Sequence, residues 1–140
     1  METHGEWSPE TELAVRERYG SLARPAETVT KSIAKTATDT DLAYGSLTAG
    51  EVIEAAQQAL FAALLEVTVS TTEEFLDWLA TAGNPRVELA GPETVDRRAF
   101  HHVHPQGVVT AVSFQDKPDA AIATVRRQAF GRHYRPLLDT

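Results

Sequence analysis

Three of the five histidines of this 140-residue chain lie close together in the segment AFHHVHPQGVV. They are His101, His102 and His104. Imidazole nitrogen is a common ligand of divalent metals, and catalytic zinc usually has three protein ligands and one open position. The chain contains no cysteine, which excludes disulfides, iron–sulfur clusters and thiol nucleophiles. Any metal site must therefore be built from histidine and carboxylate side chains.

Alternating side-chain character predicts paired strands on either side of this histidine segment. The strands cover residues 98–104 and 108–114, and a three-residue turn, Pro105-Gln106-Gly107, joins them. Proline suits the start of such a turn, and glycine suits the positive φ that the following bulge requires. This geometry pairs His104 with Val108. The segment therefore reads as a β-hairpin.

The pleat of a strand separates the three histidines. Successive side chains point to opposite faces, so His102 and His104 share one face and His101 lies on the other. A third ligand is available in the last helix, where His133 lies on the apolar side. A helix that folds back over the preceding strand brings His133 near the turn, because both segments span roughly 22 Å. We therefore predict a site for zinc or another divalent metal at His102, His104 and His133, with a water that could be activated for hydrolysis.

Helical spacing of apolar residues dominates the first part of the chain and predicts four helices. Ser8 is the expected N-cap of the first helix. Two T-x-x-E capping boxes, Thr48 with Glu51 and Thr71 with Glu74, mark the starts of the third and fourth. The predicted helices cover residues 8–20, 24–37, 49–67 and 74–83.

After the fourth helix the apolar period changes from 3.6 to 2, starting with a short strand at residues 86–89. The sequence thus predicts an α+β fold. An N-terminal four-helix segment is followed by a small antiparallel β-hairpin or three-stranded sheet and by a C-terminal helix packed on it. Residues 1–140 are predicted to form a single domain, with residues 1–7 and 136–140 flexible.

The charge of the chain is uneven, with a net charge of −7 and basic residues concentrated near the C-terminus. Clustered arginines could contact the phosphates of a nucleic acid, or they could contact a protein partner. On a helical wheel, however, these residues fan over a wide arc, which favours pairing with the acidic helices of the same chain. The candidate contact residues are Arg126, Arg127, Arg132 and Arg135.

Segments that direct a chain to a membrane are missing from the sequence. It has no run of about 18 apolar residues that could span a bilayer, and its acidic opening, METHGEWSPETE, is unlike a signal peptide. We therefore expect a cytoplasmic protein. The nucleophile-elbow, phosphate-loop, dinucleotide and H-E-x-x-H motifs are also missing.

Two stretches of the sequence resemble a group of small uncharacterised proteins of halophilic archaea. They are SPETELAVRERYG and HVHPQGVVTAVSFQDKPDAAIATVRRQAFGRHYRPL. The low isoelectric point, about 5.2, and the excess of arginine over lysine agree with that group. The resemblance implies no activity and assigns no site residues.

Three functions follow from these patterns. The favoured hypothesis is a non-enzymatic protein-interaction or assembly module without a cofactor, forming a homo-oligomer through the hairpin and the last helix, because both hairpin faces carry apolar residues. The alternative is a divalent-metal protein or hydrolase that uses His102, His104 and His133. The second alternative is a nucleic-acid-binding protein that uses the arginines of the last helix.

Overall fold

The computed structural model describes residues 1–37 and 50–138. The chain divides into two compact units, one formed by Met1–Val15 with Ala62–Thr140 and the other by Arg16–Phe61. The predicted capping box of Thr48 and Glu51 lies partly outside the described residues.

The unit of residues 16–61 is helical. Its helices are α1 (Glu12–Ser21, which begins in the other unit), α2 (Ala23–Ala37) and α3 (Gly50–Ala63). Within it, the side-chain amide of Gln57 donates a 2.7 Å hydrogen bond to the carbonyl oxygen of Tyr19, and the Tyr19 ring meets the buried Phe61 edge-on. Among the described residues, no helix is both long and apolar enough to cross a membrane.

Helix α1 begins later than the sequence predicts. The Thr11 hydroxyl accepts a 3.0 Å hydrogen bond from the backbone N–H of Ala14, which is the contact of an N-cap residue. Ser8, the predicted N-cap, instead donates to the carbonyl oxygen of His102 at 2.9 Å. The N-terminal arm is thereby attached to the sheet of its own unit.

The other unit is built on a five-stranded sheet. The strands are β1 (Glu2–His4), β2 (Val67–Thr71), β3 (Arg86–Ala90), β4 (Arg97–Val103) and β5 (Val108–Phe114). Their order across the sheet is β1-β2-β4-β5-β3. β3 runs parallel to β5, and the other neighbours are antiparallel. The helical segments of this unit are α4 (Thr72–Thr81), α5 (Pro118–Ala129), a π-helical turn (Phe130–Tyr134) and α6 (Arg135–Leu138).

The predicted architecture, an N-terminal four-helix segment before a hairpin or three-stranded sheet, is wrong. The fold is α+β with a five-stranded mixed sheet, in which β1 precedes the helices and β2 lies between α3 and α4. The third helix was predicted to reach residue 67 but ends at Ala63. The following segment, VTVST, alternates and is rich in β-branched residues, which favour a strand. It forms β2, which pairs with β1 and β4.

The predicted hairpin register is also wrong, by one residue. Val103, rather than His104, pairs with Val108. The connection is one residue longer than predicted: His104–Gln106 form a short 3₁₀ turn, and Gly107 follows in the left-handed region with φ of 63°. Because side chains alternate, a one-residue change in register exchanges the two faces of one strand relative to the other.

Both faces of the sheet are covered by helices of the same chain. The first layer, under α5, consists of Val67, Val69, Ala99, Val112, Phe114, Ala121, Ile122 and Val125. The second, under α4, consists of Phe75, Trp78, Leu79, Val87, Leu89, Phe100, Val109 and Ala111. The apolar faces of the hairpin therefore give no reason to place a partner there.

Candidate functional site

The structure places the predicted metal ligands in two different locations. The ring centroids of His102 and His104 are 4.0 Å apart. The Nε2–H of His133, in the π-helical turn, instead donates a 2.6 Å hydrogen bond to Oε1 of Glu88. Within residues 1–37 and 50–138, no group of three or more histidine or carboxylate side chains could hold a metal ion. The described chain thus brings His102 and His104 together and leaves His133 apart.

The hairpin register explains why His133 lies elsewhere. Helix α5 packs over Val112 and Phe114, on the bulkier face of β5, as the sequence suggests. In the observed register, that face of β5 continues into the face of β4 that carries His101. The segment that follows α5 therefore reaches His101, while His102 lies on the α4 side of the sheet.

His101 and Tyr134 form a buried hydrogen-bonded pair under the C-terminal segment. The imidazole Nδ1 lies 2.6 Å from the carbonyl oxygen of Glu66, and Nε2 lies 2.6 Å from the Tyr134 hydroxyl. A carbonyl oxygen only accepts, so Nδ1 carries the proton, and the Tyr134 hydroxyl donates to Nε2. Burial lowers the pKa of His101 to about 4 and raises the pKa of Tyr134 above its ordinary value. Both side chains are therefore uncharged at neutral pH.

This pair belongs to a polar row that crosses the sheet. His101 pairs with Thr110, which in turn pairs with Glu88 on the edge strand β3. The hydrogen bond from His133 lowers the pKa of the Glu88 carboxyl. At the two ends of the row, Tyr134 and His133 attach the π-helical turn to the sheet, so we assign the row a structural role.

On the α4 side of the sheet, His102 and His104 line an open cavity, which we call the histidine cleft. Its volume is about 420 Å³. That size suits a small organic molecule. The cleft is lined by Ser8, Glu66, Thr68, Trp78, Thr81, Ala82, Phe100, His102 and His104.

Aromatic rings form one wall of the histidine cleft. The Trp78 ring lies 4.7 Å from Phe100 and meets His102 edge-on at 5.5 Å, measured between centroids.

The predicted capping box of Thr71 and Glu74 is confirmed, with both reciprocal hydrogen bonds present at the start of α4. This cap fixes the first turn of the helix that carries Trp78 toward the sheet.

A single carboxylate supplies the formal charge of the cleft. This carboxylate belongs to Glu66, which lies just before β2 and lines the cleft. The backbone carbonyl oxygen of Glu66 already accepts the hydrogen bond from His101. The lining formed by the described residues includes no lysine or arginine. Burial, and then the proximity of His104, lower the pKa of His102. The cleft thus combines one carboxylate side chain with a His102 imidazole that is uncharged at neutral pH.

The four arginines predicted as a contact surface have different surroundings. Arg126 is partly buried and donates from Nε to the carbonyl oxygen of Leu65 at 3.0 Å, and Arg135 lies over the Phe130 ring at 5.4 Å. Arg127 and Arg132 are exposed. Contact with a polyanion or a protein partner through these residues stays a prediction.

Comparison with known proteins places the chain in a family. A family model described as "Family of unknown function (DUF5809)" matches residues 6–135, in agreement with the resemblance to an uncharacterised group. No curated protein and no solved structure matches the chain. The family match covers nearly the whole sequence, so the chain belongs to the DUF5809 family of unknown function.

Proposed function

We propose that the protein binds, without transforming it, a small organic cation that carries a planar group, and that the histidine cleft is its binding site. The observation that carries this proposal is a cavity of about 420 Å³ that combines an aromatic wall with one carboxylate. A concave site with an apolar surface and a few polar groups is the usual form of a small-molecule site.

The charge of the ligand follows from the charge of the cleft. Glu66 is the carboxylate residue of the described lining, and a cation can pair with its side chain. The indole of Trp78 adds an attractive π-face, which is the best aromatic partner for a cation. An anion would be repelled by Glu66, and the described lining has no lysine or arginine to offset that repulsion.

The hydrogen-bonding groups of the ligand follow from the polar part of the lining. An uncharged imidazole offers one donor and one acceptor, and the hydroxyl of Thr68 offers both. His102 and Thr68 therefore suit a planar group with mixed donors and acceptors. The aromatic wall of Trp78 and Phe100 suits the flat surface of that group.

Benzylamine, a planar ring with one ammonium group, is a suitable probe of this site. Glu66→Gln is expected to weaken its binding about fivefold, because it removes about 1 kcal/mol of charge attraction. Trp78→Leu is expected to cost a similar factor through the lost cation–π contact. Isothermal titration calorimetry measures both effects. Glu73→Gln, an exposed carboxylate on α4 outside the cleft, should bind as the parent does. Equal affinity of the parent and Glu66→Gln would contradict the proposal.

A second candidate function is the binding of a divalent transition metal by His102 and His104, because their rings lie 4.0 Å apart. The lowered pKa of His102 keeps its imidazole available as a ligand near neutral pH. The remaining coordination positions would be filled by water. His133, which is bonded to Glu88, would not participate.

Zinc titration with histidine variants tests this second candidate. His104→Gln is expected to weaken the binding of Zn²⁺ at least tenfold, and His133→Gln to leave it unchanged. Affinity should fall as the pH decreases, since protons compete for imidazole nitrogen. Competition with a colorimetric zinc chelator measures the affinity. Equal losses in the two variants would instead support the predicted site of three histidines, and no loss in either would exclude both sites.

A further inference from the structure

The most extended unfilled hydrogen-bonding surface of the described chain is the outer edge of β3. β3 (Arg86–Ala90) ends the sheet, with β5 on one side and no described strand on the other. An edge strand presents a row of backbone N–H and C=O groups that can pair with another strand. The other edge strand, β1, has three residues, so β3 offers the longer edge.

An apolar groove adjoins this edge on the α4 side of the sheet. It has a volume of about 440 Å³ and is lined by Thr72, Phe75, Leu76, Leu79, Val87, Leu89, Glu93 and Arg98. Two of these residues belong to β3 itself. Leu76 on α4 is 58% exposed, which is a large exposure for a leucine beside an apolar groove. The edge therefore combines backbone pairing with apolar side chains that a partner could cover.

The charges on β3 identify the partner. Arg86 and Glu88 lie two residues apart and thus on one face of the strand. The Arg86 side chain is 69% exposed, and its guanidinium lies 3.6 Å from Oε2 of Glu88. His133 is bonded to the other carboxylate oxygen, Oε1. The second carboxylate oxygen of Glu88, Oε2, therefore faces the Arg86 guanidinium at the edge of the sheet.

This charge pattern is complementary to itself when two β3 strands run antiparallel. If Val87 lies opposite Val87 of a second copy, each Arg86 lies opposite the Glu88 of the other copy. Opposite charges directly across an antiparallel pair are favourable, whereas like charges are unfavourable. The two-fold symmetry of such a pair is the usual symmetry of a homodimer.

We propose that the protein forms a homodimer in which the β3 edges of two copies pair antiparallel and join the two sheets into one. The charges of Arg86 and Glu88 set the register of the two strands. The exposed Leu76 side chain in the groove of each copy becomes covered near the paired edges. This interface is distinct from the histidine cleft and does not depend on ligand binding.

Sedimentation velocity of the full chain at about 100 µM, in about 0.15 M KCl, where the exposed charges at the edge are only partly screened, is expected to show a dimer. Arg86→Glu places a carboxylate opposite the Glu88 of the other copy, and we expect it to weaken dimerisation at least tenfold. Arg127→Glu makes the same charge change on an exposed residue of α5 and should leave the dimer intact.

Leu76→Glu and Leu13→Glu form a second matched pair, because these two leucines are 58% and 65% exposed and their replacement should leave the fold intact. Leu76→Glu is expected to weaken the dimer, and Leu13→Glu is not. A monomeric parent at the highest concentration would overturn the proposal, even if a foreign peptide could bind the same edge. A dimer that survives both Arg86→Glu and Leu76→Glu would also overturn it.

Discussion

Replacing Tyr134 with alanine is expected to lower the free energy of unfolding of the sheet-containing unit by about 4 kcal/mol. The side chain is fully buried, with 0% exposure, so its removal leaves a cavity. It also removes the hydroxyl that donates to His101 at 2.6 Å. Tyr134→Phe keeps the ring and deletes only that donor, which leaves a buried imidazole nitrogen without its partner. We expect a smaller loss for Tyr134→Phe, about 1–3 kcal/mol.

Urea unfolding followed by tryptophan fluorescence measures both losses. The two tryptophans, Trp7 and Trp78, lie in the same unit as Tyr134, so the signal reports on that unit. Leu13→Ala, which shortens an exposed side chain, is the control and should change stability by less than about 0.5 kcal/mol. A loss below about 1 kcal/mol for Tyr134→Ala would contradict the buried position of this ring.

Mild acid is expected to destabilise the protein through His101. Its pKa is about 4 in the folded protein, against an ordinary value of about 6.5 in the unfolded chain. Between these two values the unfolded chain binds a proton that the folded protein does not. The stability contribution of neutral His101 is therefore complete above about pH 6.5 and is lost as the pH falls toward 4, by about 3 kcal/mol.

The same pH range separates this effect from that of the carboxylates. His102, whose pKa is also lowered, adds a loss in the same direction. Glu88, whose pKa is lowered by His133, contributes only below about pH 4.5. His101→Gln should therefore flatten most of the pH dependence of the free energy of unfolding between pH 6.5 and 4.5, whereas His4→Asn should not. An unchanged slope in His101→Gln would be inconsistent with a buried neutral imidazole.

Local rules predicted several parts of this structure. The capping box of Thr71 and Glu74 starts α4 as expected, because a cap depends on residues three positions apart. The alternation of the hairpin strands correctly separated His101 from His102. The short strand predicted at residues 86–89 exists as β3. In each case the pattern that made the prediction lies within a few consecutive residues.

Long-range packing decided the rest. A turn of three or four residues at Pro105 fits the same local sequence, and its length decides which face of β4 lies beside the face of β5 that packs under α5. One residue of difference was enough to place His101, instead of His102, on the face of the sheet that the segment after α5 reaches. Likewise, the inner position of β2 depends on pairing with β4 and with the N-terminal strand β1, which no local pattern indicates.

The candidate site was predicted only in part. His102 and His104 were singled out by their shared strand face, whereas Trp78, which is half-buried and lines the cleft, was not. Glu66 reaches the cleft from the position just before β2, and Ser8 reaches it from the N-terminal arm. Since these segments are far apart in the sequence, spacing alone could not bring them together.

A charge series of similar probes shows whether the histidine cleft binds a planar cation. Benzylamine, benzyl alcohol and benzoate share a ring and differ in charge. Their affinities can be compared at pH 7.5 from the NMR shifts of the Trp78 indole N–H and the His102 ring. We expect affinity to decrease from benzylamine to benzyl alcohol to benzoate, and both signals to move. Tightest binding of benzoate, or probes that leave both signals unmoved, would contradict it.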